Sequence, residues 1–63
     1  MQISRTSALT GNTHVMDLPV TMEQMLAYAQ GELLQVAFPQ LSADQREFVK
    51  TGITPEEWDA VFG

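Results

Sequence analysis

The spacing of apolar residues along this chain changes at about residue 21. From Thr21 onward they recur every three or four positions, which is the spacing of amphipathic α-helices. The first helix is predicted to begin after Thr21, an N-cap with Gln24 as its capping-box partner, and to stop near Gly31. Its apolar stripe contains Met22, Met25, Leu26 and Ala29, with Tyr28 beside the stripe.

The next segment, residues 32–38, has apolar residues on nearly every side and ends before Pro39. It is predicted to be either a second short helix or a kinked continuation of the first. Because it has little polar surface to present to water, we expect it to be the most buried part of the chain.

Two further helices have clear start signals, and the first of them also has a stop signal. Ser42 with Gln45 predicts the start of one helix, and Gly52 predicts its end. The last helix has the strongest local signal in the chain: Thr54 at the N-cap, Pro55 at the first helical position and a glutamate at the third.

Together the helical stripes predict one hydrophobic core, because the apolar sides of all the helices can be buried only against one another. The expected core residues are Leu26, Leu33, Val36, Ala37, Leu41, Phe48, Val49, Trp58, Val61 and Phe62.

The N-terminal segment is predicted to form a β-hairpin. Residues 2–7 and 13–18 contain β-branched residues and few helix formers, and residues 9–12 between them include the turn pair Gly11–Asn12. The apolar contrast between the two faces is weak, so the sequence specifies the strand register poorly. Both edges of the hairpin are expected to be open.

These elements predict an α+β fold, an N-terminal β-hairpin followed by three or four short α-helices. The 63 residues are expected to form a single small domain, with the hairpin at 2–18 and the helical body at 21–62. A domain of this size buries only about 60% of its unfolded surface, so we expect marginal stability.

The charge distribution limits the kinds of macromolecule that this chain is expected to bind. The formal net charge is −5, and all eight acids lie in residues 17–63. An acidic body repels phosphate, which argues against a nucleic-acid partner and permits a basic protein partner.

Other features of composition bear on location and cofactors. The chain has no cysteine, so disulfides and thiolate metal sites are excluded. No apolar stretch reaches the roughly 20 residues of a membrane span, and no hydrophobic signal core follows the first residues. We therefore expect a complete small cytoplasmic protein with no membrane association.

Candidate catalytic chemistry is sparse. His14 is the only histidine, and Asp17, the acid nearest in sequence, falls on the opposite face of the strand. The acids Glu56, Glu57 and Asp59 lack the spacing of a calcium loop and suit a helix N-terminus. The sequence contains no glycine-rich phosphate loop. We therefore expect no enzyme activity, no cofactor and no metal.

Several side chains are candidates for binding another protein. Ile3, Arg5 and Val15 lie on the hairpin, and Tyr28 flanks its helical stripe as a candidate aromatic anchor. Near the C-terminus, Trp58 and Phe62 are expected in the core, although so short a helix leaves open that they dock into a partner. Met22 and Met25 have the same two interpretations.

Four segments resemble small uncharacterised accessory proteins encoded by bacteriophages and some bacteria. They are RTSALTG at 5–11, MDLPVT at 16–21, FPQLSADQREF at 38–48 and TGITPEEWD at 51–59, so the similarity covers most of the chain. The resemblance implies a compact phage-type protein in the bacterial host cytoplasm. The resemblance identifies no functional residue in this chain.

Taken together, these observations favour a non-catalytic protein–protein interaction module of phage type. Its simplest form is a homodimer that pairs through the open edges of the hairpin. The alternative is an acidic inhibitor of a host or nucleic-acid-binding protein that mimics DNA.

Overall fold

The computed structural model describes all residues from Met1 to Gly63 and has the predicted α+β architecture. A two-stranded antiparallel hairpin precedes four helices. The elements are β1 (Gln2–Thr6), β2 (Thr13–Asp17), α1 (Met22–Ala29), α2 (Leu34–Ala37), α3 (Ala43–Thr51) and α4 (Pro55–Phe62). The segment after Gly31 is therefore a separate short helix and not a kinked continuation of α1.

The hairpin register is defined by contacts at its two ends. At the turn, the amide of Ser7 donates to the carbonyl of Asn12, and Gly11 adopts a φ of 78°. At the open end, the N-terminal amine of Met1 lies 2.9 Å from the carbonyl oxygen of Leu18 and 3.1 Å from the carboxylate of Asp17. Both ends fix the register that the weak apolar alternation leaves undetermined.

Local capping signals produce the helix boundaries. All three predicted capping boxes are present, and Gly52 ends α3 in the left-handed conformation with a φ of 78°. The boxes pair Thr21 with Gln24, Ser42 with Gln45, and Thr54 with Glu57.

The core lies between the inner face of the hairpin and the middle helices. Phe38 and Phe48 are fully buried at its centre. Of the expected core residues, four are confirmed: Ala37, Leu41, Phe48 and Val49. The rest of the core comes from residues outside that list, namely Ile3, Leu18, Val20 and Phe38.

Six expected core residues lie on the surface, so that part of the prediction is wrong. Their exposed fractions range from 47% to 62%. They are Leu26, Leu33, Val36, Trp58, Val61 and Phe62. The hairpin and the segment after it fill the space beside the two central phenylalanines. The apolar stripes that contain these six residues are therefore excluded from the core. Only Ala37 and Phe38 of residues 32–38 are buried, so the expectation that this segment is the most buried part is also wrong.

The C-terminal end of α3 packs directly against β1. The guanidinium of Arg5 donates to the carbonyl of Lys50 at 3.1 Å, and the amide of Ala8 donates to that of Thr51 at 2.9 Å. At Gly52 any side chain would collide with the carbonyl group of Thr6. The helices therefore hold the inner face of the hairpin in place, and a cation sits at the negative end of the α3 dipole.

None of the four helices is long and apolar enough to cross a membrane.

Candidate functional site

The start of α4 is joined to the hairpin by a polar cluster around Glu57, here called the Glu57 cluster. Its members are Ser7, Thr10, His14, Thr54 and Glu57. The carboxylate of Glu57 accepts from the amide of Thr54 at 3.3 Å and from the hydroxyl of Thr10. Its Oε2 lies 3.0 Å from Nε2 of His14. One carboxylate thus caps its own helix and contacts both the hairpin turn and β2.

The cluster stabilises the ionised form of this carboxylate. The hydrogen bond from Thr10 is the main cause, and His14, Ser7 and the Thr54 amide act in the same direction. Desolvation acts in the opposite direction, because only 11% of the Glu57 side chain is exposed. The net effect lowers the pKa of Glu57 to about 2.

The same groups explain where His14 lies. Its Nε2 is enclosed and lies close to the Glu57 carboxylate, but it makes no hydrogen bond of good geometry. Asp17 is directed instead to the N-terminal amine. The hydroxyl of Ser7 is buried and accepts from the amides of Leu9 and Thr10 at 3.2 and 3.3 Å. The Glu57 cluster therefore holds the hairpin and α4 together and places His14 against the carboxylate of Glu57.

The acids at the start of α4 do not assemble into a cation site. Glu57 turns toward the hairpin, while Glu56 and Asp59 are exposed. Nowhere in the structure do three histidine, aspartate or glutamate side chains come together in a way that would hold a metal ion.

The outward side of α4 is an apolar surface formed by Trp58, Val61 and Phe62, here called the α4 face. These side chains are 47%, 53% and 62% exposed. The rings of Trp58 and Phe62 pack against each other with centroids 4.7 Å apart, and no residue of α4 is buried. Helix α4 therefore presents large apolar groups to solvent while only its N-terminal end is anchored.

A cleft of about 220 Å³ adjoins the α4 face, between α3 and α4. Trp58 belongs to both surfaces, and Ile53 and Pro55 supply the other large apolar walls. Asp44 and Glu47 of α3 line the opposite side. Gly52 ends α3 in the left-handed conformation, and the start of α4 lies across the cleft from Asp44 and Glu47.

The four side chains proposed from sequence as binding residues lie in different environments in the structure. Ile3 is only 6% exposed and belongs to the core, so it is not available to a partner. Arg5 is occupied by the C-terminal end of α3. Tyr28 is half-buried and packs edge-on against Phe38 with centroids 5.7 Å apart. Val15 is the one apolar residue of the four that is prominently exposed, at 59%, and it lies on the outer face of the hairpin.

The Glu57 cluster was missed as a site from sequence, and the α4 face was raised only as the alternative interpretation of Trp58 and Phe62. The i, i+3, i+4 stripe of α4 is the same signal that a core helix gives. The hint in favour of that alternative was the shortness of α4, which has only 8 residues to anchor its apolar side chains. No comparable hint links Glu57 to Thr10, because 47 positions separate them in the chain.

Comparison with protein-family models, curated proteins and solved structures finds no match to this chain.

Proposed function

We propose that this protein is a non-catalytic interaction module that binds another protein through the α4 face. The observation that carries the proposal is the exposure of Trp58, Val61 and Phe62 on one side of one helix. Large apolar groups gathered on a small surface are typical of interaction sites, and tryptophan is enriched among residues that dominate binding energy.

The anchoring of α4 supports this function. Glu57 fixes the first turn of the helix to the hairpin through Thr10 and His14. Fixing the helix before a partner arrives reduces the entropy lost on binding. The α4 face is then a preformed helix surface suited to a groove or a second helix.

The cellular setting of the proposal comes from the resemblance to small phage-type proteins, which suggests a partner in the bacterial host cytoplasm. The alternative of a DNA-mimic inhibitor has less support. Two of the eight acids are engaged by distant parts of the chain, Asp17 by the N-terminal amine and Glu57 by the hairpin. This leaves fewer acids to imitate a phosphate backbone.

Self-association through the hairpin is a second candidate, favoured by one observation. Met1 with Leu18 and Ser7 with Asn12 are hydrogen-bonded pairs of the ladder. Because such pairs alternate along an antiparallel ladder, the backbone groups of Thr13, Val15 and Asp17 point away from β1. This free edge of β2 has the geometry for adding a strand of a second copy.

The test of the first proposal compares two double variants by affinity purification from a bacterial cell extract with quantitative mass spectrometry. V61S/F62S alters the α4 face. L26S/L33S is the matched control, because it also replaces two exposed apolar residues. We expect a protein that co-purifies with the native chain and with the control to be lost with V61S/F62S. Identical partners for both variants would contradict the assignment to the α4 face.

A further inference from the structure

We infer that the cleft between α3 and α4 receives a basic, amphipathic segment of the partner protein, with one large apolar side chain seated against Trp58. This inference rests on the proposed function and specifies the chemistry of its partner. It follows from the size of the cleft, its charge and its continuity with the α4 face.

The size of the cleft suits a side chain. Its volume of about 220 Å³ is below the roughly 300 Å³ at which pockets for small-molecule ligands begin. Its apolar walls, Ile53, Pro55 and Trp58, meet the α4 face at Trp58. A helix lying along that face would place one apolar residue in the cleft and others against Val61 and Phe62.

The charge around the cleft selects basic residues. Asp44 and Glu47 line it, and no lysine or arginine does. Arg46, although on the same helix, is directed away and donates to the carbonyls of Phe38 and Pro39 at 3.2 and 3.0 Å. Lysines or arginines beside the apolar anchor of the partner would therefore meet uncompensated carboxylates.

The same charges disfavour a second copy of this chain at the cleft. A symmetric dimer brings identical patches together, so Asp44 and Glu47 would face the same carboxylates of the other protomer. Like charges placed opposite each other oppose association. The occupant is therefore a different chain, and it carries positive charge.

Trp58 is the only tryptophan, so its fluorescence reports on the cleft directly. The native protein is titrated at low salt with two synthetic helical peptides without aromatic residues. Both have leucine at helical spacing, and the remaining positions are lysine in one and glutamate in the other. We expect the lysine peptide to shift the emission of Trp58 to shorter wavelength and the glutamate peptide to leave it unchanged.

Charge variants test whether the lysine peptide binds at the cleft. D44N/E47Q is expected to weaken binding of the lysine peptide roughly tenfold, the effect of removing two exposed ion pairs. E23Q/E32Q is the matched control, because it removes two exposed acids that lie outside this cleft, and it is expected to bind as the native chain does. Since Asp44 lies in the first turn of α3, the single variant Glu47→Gln separates the charge effect from any loss of helix stability.

Three outcomes would overturn the inference. They are an equal shift with both peptides, no shift with either, and equal weakening by the two double variants. None of them bears on the co-purification experiment, which uses no charged probe. Failure of the basic-segment inference is thus distinguishable from failure of the proposed function.

Discussion

Nε2 of His14 lies 3.0 Å from the carboxylate of Glu57, and this contact connects β2 with the first turn of α4. The hydroxyl of Thr10 binds the same carboxylate from the hairpin turn. Because α4 has no buried residue, these polar contacts have a large part in orienting the helix that carries the α4 face.

Glu57→Gln is expected to lower the melting temperature and to loosen α4. Glutamine at this position retains the capping box, as Gln45 does in α3, so the change removes the charge that His14 and Thr10 contact. Thermal unfolding followed by the fluorescence of Trp58 measures it. Glu56→Gln is the control, an exposed acid in the same helical turn. An equal effect of both substitutions would indicate that only the helix dipole is involved.

Stability is expected to fall as the pH drops from about 4.5 toward 2. The folded state lowers the pKa of Glu57 from 4.5 to about 2, so it binds the carboxylate in its ionised form. That contribution is complete above the unfolded pKa and is lost as the folded group takes up a proton. Denaturant unfolding over this pH range measures it. Glu57→Gln should show a shallower decline than the native chain, and parallel curves would contradict the assignment.

Phe48→Ala is expected to destabilise the protein by about 3–5 kcal/mol, because the ring is fully buried at the centre of the core. Phe62→Ala is the matched control, with 62% of the residue exposed, and should change the free energy of unfolding little. Urea unfolding monitored by circular dichroism compares them. Comparable losses for the two variants would mean that α4 packs into the core in solution.

Association through the β2 edge is expected to raise the mass measured by light scattering as concentration increases. A symmetric antiparallel pairing centred on Val15 would place the two Val15 side chains opposite each other. Val15→Lys should then abolish the increase through like-charge repulsion. Ser4→Lys is the control, because Ser4 pairs with Val15 across the hairpin and lies on the strand farther from that edge. A constant mass of one chain at all concentrations would exclude this dimer.

The sequence by itself determined the elements and most of their boundaries. Each N-cap signal involves residues three positions apart, and the αL stop of α3 needs only Gly52. The hairpin follows from a turn flanked by β-prone residues. These interactions are local. They are therefore encoded in short stretches of sequence and do not depend on how the rest of the chain packs.

Only the tertiary structure decided which apolar stripe became core and which became surface. Ile3 was proposed from sequence as a binding residue and Trp58 as a core residue, yet Ile3 is only 6% exposed and Trp58 is 47% exposed. A chain of 63 residues encloses little volume, and the hairpin, held to α3 by Arg5 and Gly52, takes the space around Phe48. The stripe of α4 is left outside because burial depends on competition among distant segments. The meeting of Glu57 with His14 depends on the same long-range packing.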